Sequence, residues 1–234
     1  MLAVLKREFA GYFKAPIGYV FIAASFLFSG IFFWAFSLSI GSADISSVFL
    51  GMFYVYMIFV PLLTMRLLAD DARQKTDQLL LTSPVSLFGL VFGKFLSAYL
   101  VFLLGDLIML IYGVVMSVFV EVNWAMILGN FAALALIGAV FVSVGLFISS
   151  LTESQMIAAI GSFGANLLLV LINTIASVIP IKGVSDVILS LSIFDRYYEF
   201  TTGIFSLGNL LFFLSVTVIF LFLTVRVLEK RRWA

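Results

Sequence analysis

Neither cysteine nor histidine occurs anywhere in the chain. Without cysteine there are no disulfides, no thiolate nucleophile and no sulfur-ligated metal centre, and without histidine the commonest proton shuttle and zinc ligand is missing too. Charge is scarce: Asp, Glu, Lys and Arg make up 11% of the residues, where a soluble domain carries about a quarter. The 13 basic and 12 acidic side chains nearly cancel, to a net +1 that says nothing about partners; no nucleic-acid partner is expected. A membrane enzyme would need a polar constellation that so few carboxylates do not supply.

What is present is apolar sequence. Hydrophobic residues reach 64% and the mean hydropathy is +1.25, values that belong in a bilayer. A spanning helix needs roughly 20 mainly apolar residues, and six windows satisfy this: 17–40, 48–69, 93–118, 125–150, 155–178 and 207–228. The expected fold is all-α, one polytopic transmembrane domain over 1–234. A cleaved signal peptide is not expected, because Lys6, Arg7, Glu8, Lys14 and Pro16 precede a first span too long for a signal core. Residues 1 to 15 read as an interfacial helix, with Leu2, Leu5, Phe9, Tyr12 and Phe13 recurring at helical spacing.

Basic residues set the orientation. With the N-terminus cytoplasmic, only Lys182 and Arg196 of the 13 Lys and Arg residues fall outside. Both termini are then cytoplasmic. Trp34 and Trp124 fall at the outer interface and Trp233 at the inner one. Between the fifth and sixth spans lies an external segment, in which Ser185 and Asp195 are expected to cap short helices. Its apolar side chains, Ile188, Leu191, Phe194, Tyr197, Tyr198 and Phe200, are expected on the membrane surface.

Three internal features stand out. The fourth span is rich in small residues, Ala135, Gly138, Ala139, Ser143 and Gly145, which predicts close packing against other helices. The fifth carries a small and polar stripe, Ala159, Ser162, Asn166, Asn173 and Ser177, which should face protein or water. The third holds Asp106 near its middle, where a charge costs at least ~2.5–3.5 kcal/mol. Asp106 reads either as a structural, partly protonated acid bonded to Asn166, Asn173 or a nearby serine, or as part of a polar pathway or a site for a coupling ion. The latter supports an alternative reading as a proton-coupled secondary transporter.

The densest charge lies between the second and third spans, in "LLADDARQKTDQLLLTSPVS", with Arg66 just before it. The spacing predicts an amphipathic helix from about Asp70 to Leu81: Leu68, Ala72, Leu79 and Leu80 on one side, the charges on the other. Asp71 with Lys75 and Asp70 with Arg73 form helical pairs. Ser83 and Pro84 stop it. Such a helix is either a well-solvated loop or a docking surface. A magnesium site built on Asp70, Asp71 and Asp77 is disfavoured, because they spread over nearly two turns with Arg73 and Lys75 among them.

The stretch "PLLTMRLLADDARQKTDQLLLTSPVSLFGLVFGKF" resembles the signature of the ABC-2 type permeases, in particular a branch similar to gliding-motility-associated permeases. "KREFAGYFKAPIGYVF", "GLFISSLTESQMIAA" and the closing "LSIFDRYYEFTTGIFSLGNLLFFLSVTVIFLFLTVRVLEKRRW" are similar to other parts of that family in order. The resemblance implies one membrane half of an ATP-driven transporter, mostly linked with export, in a prokaryotic cytoplasmic membrane. It implies that two copies of a separate cytoplasmic ATPase dock on the segment at Arg66, Asp70, Asp71, Arg73, Lys75, Thr76, Asp77, Gln78, Leu79, Leu80 and Pro84. Lys75 stands where glycine is common and Gln78 where glutamate is common. A second permease half, identical or related, is implied as well, with the first and fifth spans at the interface through Ser25, Ser29 and the stripe from Ala159 to Ser177. Accessory membrane or external proteins and ATP-driven signalling without cargo also fit the family.

The energy source has to lie elsewhere. A phosphate-cradling loop needs set glycine spacing followed by Lys and Ser or Thr, and the nearest stretch, "GLVFGKF", is one residue short and ends in Phe95. ATP and Mg²⁺ therefore belong to the partner, and no cofactor is expected on this chain. Gly89 and Gly93 read as packing positions and Lys94 as an interfacial anchor.

Overall fold

The computed structural model describes residues 1–42, 44–75, 86–178, 189–190, 192–201, 203 and 206–233. Among them the regular structure is helical, with no strand. Six segments are long and apolar enough to cross a membrane: Ile17–Leu38, Ser46–Arg73, Leu87–Phe119, Trp124–Leu151, Gln155–Ala176 and Leu207–Arg232. An even number of spans returns the chain to its starting side. That side also holds most of the Lys and Arg and is called the basic end below.

Helix α1 (Leu2–Lys14) stops at Ala15, whose extended backbone is what a residue before proline prefers. The first span is α2 (Ile17–Phe33), continued by a π-helical turn over Trp34–Leu38. The second is α3 (Ser46–Thr64), which contains Pro61 and is followed, after an irregular turn at Met65 to Leu68, by the short α4 (Ala69–Arg73). The third is split into α5 (Leu87–Asp106) and α6 (Ile108–Phe119), with the break at Leu107. Ser86 caps α5, accepting from the Gly89 N–H at 3.2 Å. This start is six residues earlier than the hydropathy window suggests, so Lys94 lies two turns inside the helix.

The fourth span, α7 (Trp124–Leu151), is the centre of the bundle. Capped by Asn123, it packs against the second, third, fifth and sixth spans. Its small residues allow this. A Cβ added at Gly138 would sit 2.1 Å from the Phe102 ring, and one at Gly145 would sit 2.1 Å from Thr64 Oγ1. Around α7, which carries no charged residue, apolar contact and backbone proximity rather than ion pairs hold the helices together.

The fifth and sixth spans are α8 (Gln155–Val178) and α10 (Leu207–Trp233), joined at the far end by α9 (Ile193–Thr201). Here two expectations are corrected. Ser192, not Asp195, caps α9, accepting from the Asp195 N–H at 3.2 Å; Asp195 lies inside the first turn and accepts from Asn173 Nδ2 at 2.6 Å. Of the aromatic residues assigned to the membrane surface, Tyr197 and Phe200 are buried. Tyr197 stacks on Phe53 at 4.7 Å and donates to the Phe49 carbonyl at 3.1 Å. The strong amphipathicity of α9 is satisfied by the bundle rather than by lipid. Ser185, Ile188 and Leu191 lie outside the described residues.

Candidate functional site

At the basic end, the turn between α3 and α4 interrupts the helical hydrogen-bond ladder, and polar groups from other helices take up its backbone. Ser149, on α7, accepts from the N–H groups of Leu68 (3.1 Å) and Ala69 (3.0 Å) and donates to the Met65 carbonyl (3.2 Å). Lys94, on α5, donates to the Leu67 carbonyl at 2.6 Å. Tyr12, on α1, donates to the Leu63 carbonyl at 2.9 Å. Orphaned backbone groups at membrane depth need such partners.

Lys94 does more than close this ladder. Its ammonium is 1% exposed and reaches two carboxylates, Asp71 Oδ2 at 2.7 Å and Glu8 Oε1 at 3.1 Å. Glu8 in turn accepts from Arg7 at 2.7 Å. A buried ammonium is tolerated only when its donors are used and its charge is met, and here three oxygens meet three protons. The consequence is mechanical: one side chain ties α1, the α3–α4 junction and the third span together. Its expected role as an interfacial anchor is corrected accordingly, since the early start of α5 carries it inward.

Asp70 makes a second tie. It accepts from Arg66 Nε at 3.0 Å on one oxygen and from Gln155 Nε2, at the start of α8, on the other. Between the two ties lies a cavity of about 180 Å³, walled by Glu8, Tyr12, Arg66, Asp70, Asp71 and Lys94. Burial pushes the Glu8 carboxyl up, but the nearby Lys94 and Arg7 charges and their hydrogen bonds outweigh it, leaving Glu8 below the ordinary glutamate range. Arg7 is held above its usual value, chiefly by the hydrogen bond to Glu8. Tyr12 is pushed up, first by burial and then by the Glu8 charge.

The charged pairs expected within one helix are therefore replaced by pairs between helices. Asp71 meets Lys94 rather than Lys75, and Asp70 meets Arg66 and Gln155 rather than Arg73. The helix from Asp70 to Leu81 is not continuous: α4 ends at Arg73, and Lys75 takes the left-handed conformation, with φ +56°. Glycine adopts that backbone without strain. Arg73, Gln74 and Lys75 are exposed, while Thr76, Asp77, Gln78, Leu79, Leu80 and Pro84 lie outside the described residues.

A family model described as ABC-2 family transporter protein matches residues 20–233. The chain belongs to that family. The match is to the family as a whole and not to a branch of it, and no curated protein matches the chain. As an ABC-2 family member it is the permease component of an ABC transporter and a multi-pass membrane protein; the family's role is transport rather than catalysis, and its permeases generally work with an ATPase subunit.

The remaining residues singled out in the permease sequence fall into three places. Ser25 and Ser29 are buried between α2 and the third span, with Ser29 Oγ 3.1 Å from the Tyr112 hydroxyl. On α8, Ser162 and Asn166 are buried inside the chain and Ala159 and Asn173 partly so. The outward side of α8 is instead apolar, with Met156, Ile157, Ile160, Leu168 and Leu171. The side chain of Ser177 lies outside the described residues. Asp106 is wholly buried at the end of α5, and neither of its oxygens has a hydrogen-bond partner among the described residues; Asn173, once considered for it, is used by Asp195.

Sequence reading gave Glu8, Tyr12, Ser149 and Gln155 no part in this site, and took Lys94 only as an anchor at the interface. Lys94 carried a readable signal, a lysine two turns inside an apolar helix. The other four are ordinary residues whose role comes only from what faces them.

Proposed function

We propose that this permease is one half of an ATP-driven exporter in a prokaryotic cytoplasmic membrane, with the basic end cytoplasmic. Two copies of a separate ATPase, carrying ATP and Mg²⁺, dock on the segment from Arg66 to Pro84, and a second permease half, identical or related, completes the assembly. The observation that carries this reading is the pair of ties at Lys94 and Asp70. A rigid body pushing on the α4 segment pushes at once on α1, the third span and the fifth, and the central α7 feels it through Ser149. The exposed Arg73, Gln74 and Lys75 leave a polar face for the docking partner. ATP binding would close the ATPase pair, and the spans would then reorient around the space between halves.

The test is co-purification from the native host. Wild-type protein is compared with an Arg73→Glu, Lys75→Glu double variant, which reverses exposed charges and leaves the buried ties intact. The expected result is an ATPase with a phosphate-binding loop recovered with the wild type and lost with the variant, at equal thermal stability of the permease. Recovery of no such ATPase with folded wild-type protein would remove the proposed engine.

A further inference from the structure

Asp106 takes no part in the ties just described. It lies twelve residues beyond Lys94 along the third span, roughly 18 Å at helical rise, which puts it near the middle of the bundle. Its residue is 0% exposed, and both oxygens lack partners among the described residues. An unpaired carboxylate so placed costs several kcal/mol, and the C-terminal end of α5 adds a further repulsion to a negative charge. The neutral acid is therefore the resident form.

The helix itself changes at this residue. Leu107 leaves the α-helical pattern, and the Leu110 N–H bonds to the Leu107 carbonyl at 3.1 Å, one residue closer than in an α-helix. Tight turns inside a helix mark places where it flexes. Facing the break is one side of α2 built at four-residue spacing: Ser25, Ser29 and Phe33, all buried. A Cβ on Gly105 would lie 2.9 Å from Ser25 Oγ, so the Ser25 hydroxyl packs against the turn that carries Asp106. One turn further on, Ser29 Oγ meets the Tyr112 hydroxyl, whose ring stacks on Phe33 at 4.4 Å. Ser37 Oγ, buried in the π-helical turn near the far end, has no partner among the described residues.

We propose that Asp106 is an intramembrane proton-binding site, a carboxylic acid that exchanges its hydrogen toward the far end of the bundle through the hydroxyls of Ser25, Ser29 and Tyr112. A proton is the ligand that fits, because the acid is fully enclosed and a larger cation would need room and further oxygen ligands. In the conformation described the route is closed: Ser25 donates to the Phe21 carbonyl at 2.9 Å and Ser29 to that of Phe26 at 3.1 Å. Rotation about χ1 frees each hydroxyl to pass a hydrogen along, receiving one and releasing its own, so that Asp106 is left as a carboxylate until it is refilled.

Among the described residues no cation pairs with Asp106. The titratable groups on the elements packed against α5 are Tyr54 and Tyr56 on α3, Tyr19 on α2, Tyr112 on α6, Lys6, Arg7, Glu8, Tyr12 and Lys14 on α1, and Arg226, Glu229, Lys230, Arg231 and Arg232 on α10, the α1 and α10 cations lying at the basic end; α7 brings none. On α5 itself, Tyr99 donates to the Ala135 carbonyl at 3.2 Å, and Lys94 is taken by Glu8 and Asp71.

The experiment is infrared spectroscopy of the full chain in phosphatidylcholine and phosphatidylglycerol nanodiscs, moved from H₂O to D₂O. The proposal expects a carboxylic-acid carbonyl band at neutral pH that is absent from Asp106→Asn and moves when the wild type is grown on ¹³C-aspartate, a control that needs no substitution. The band should downshift in D₂O, and a Ser29→Ala, Tyr112→Phe variant should keep the band while slowing its exchange at least tenfold. No such band, a band that never exchanges, or exchange untouched by the double variant would each overturn the proposal. None of these readouts involves an ATPase, so the outcome is independent of the docking reading.

Discussion

Lys94 concentrates more structure than any other side chain described. Replacing it with Met keeps the volume but leaves Glu8 and Asp71 without their shared cation and the Leu67 carbonyl without its donor. Loss of one partner from a buried ion cluster costs about 3–5 kcal/mol; the low end is expected, because the cavity beside the cluster admits water. Thermal unfolding in detergent should show the drop, and an additional Glu8→Gln, Asp71→Asn change should restore much of it, since the uncompensated charges are then gone. Lys75 offers the opposite case. At φ +56° a side chain is strained by roughly 1–2 kcal/mol, part of which glycine returns as lost chain entropy. Lys75→Gly is expected to stabilise by about 1 kcal/mol, read as a higher unfolding midpoint. Lys75→Val should do the reverse.

Among the elements, α7 and α1 make contrasting predictions. Gly138→Ala and Gly145→Ala each insert a methyl group into occupied space, against the Phe102 ring and the Thr64 side chain, and overpacking of this kind costs about 1–3 kcal/mol. Gly129→Ala, on the same helix with nothing within 4 Å, is the control and should be neutral or slightly stabilising. The docking of α1 adds an electrostatic part to the apolar packing of Val4 and Tyr12. Glu8 sits below the ordinary glutamate range in the folded chain, so its contribution is fully present above that range and is lost as pH falls through the folded value. A spectroscopic label on α1 should therefore loosen in acid while the spans remain helical, and Glu8→Gln should remove that transition. The elements themselves were legible. Runs of apolar residues locate the six spans within a few positions, because a bilayer imposes length and composition directly. The expected Asp71–Lys75 and Asp70–Arg73 pairs were not, because helical spacing describes only neighbours on one helix, and these acids are claimed by Lys94 and Gln155 from others.

At the scale of the whole molecule, burial is uneven. The fourth and second spans are enclosed by the chain, at 72% and 61%, while the first, fifth and sixth are covered at only 28%, 22% and 22%. A second permease half would lie against those open spans, and on the fifth it would meet Ile160 and Leu168 rather than the buried Ser162 and Asn166. The natural absence of cysteine makes this directly testable. Ile160→Cys should give a cross-linked dimer on oxidation if the fifth span faces its partner, and Leu211→Cys on the sixth should not; the reverse pattern would move the interface. The inward polar stripe fits the expectation that it faces protein, but small and polar residues mark close packing whether the neighbour is the same chain or another, so the stripe by itself does not say which side of this helix meets a partner. The central position of α7 also bears on how the protein is made. When this span leaves the ribosome and enters the membrane, the fifth and sixth spans that will cover it have not been synthesised, and it is the most apolar of the six, suited to waiting in lipid. Its tightest contacts, Gly138 with Phe102, Gly145 with Thr64 and Ser149 with the α3–α4 turn, are all with segments already made. A nascent chain that has reached Leu151 thus holds Lys94, Asp71, Glu8, Tyr12 and Ser149, while Gln155 is still to come, and the second half of synthesis adds a wall around a core already set.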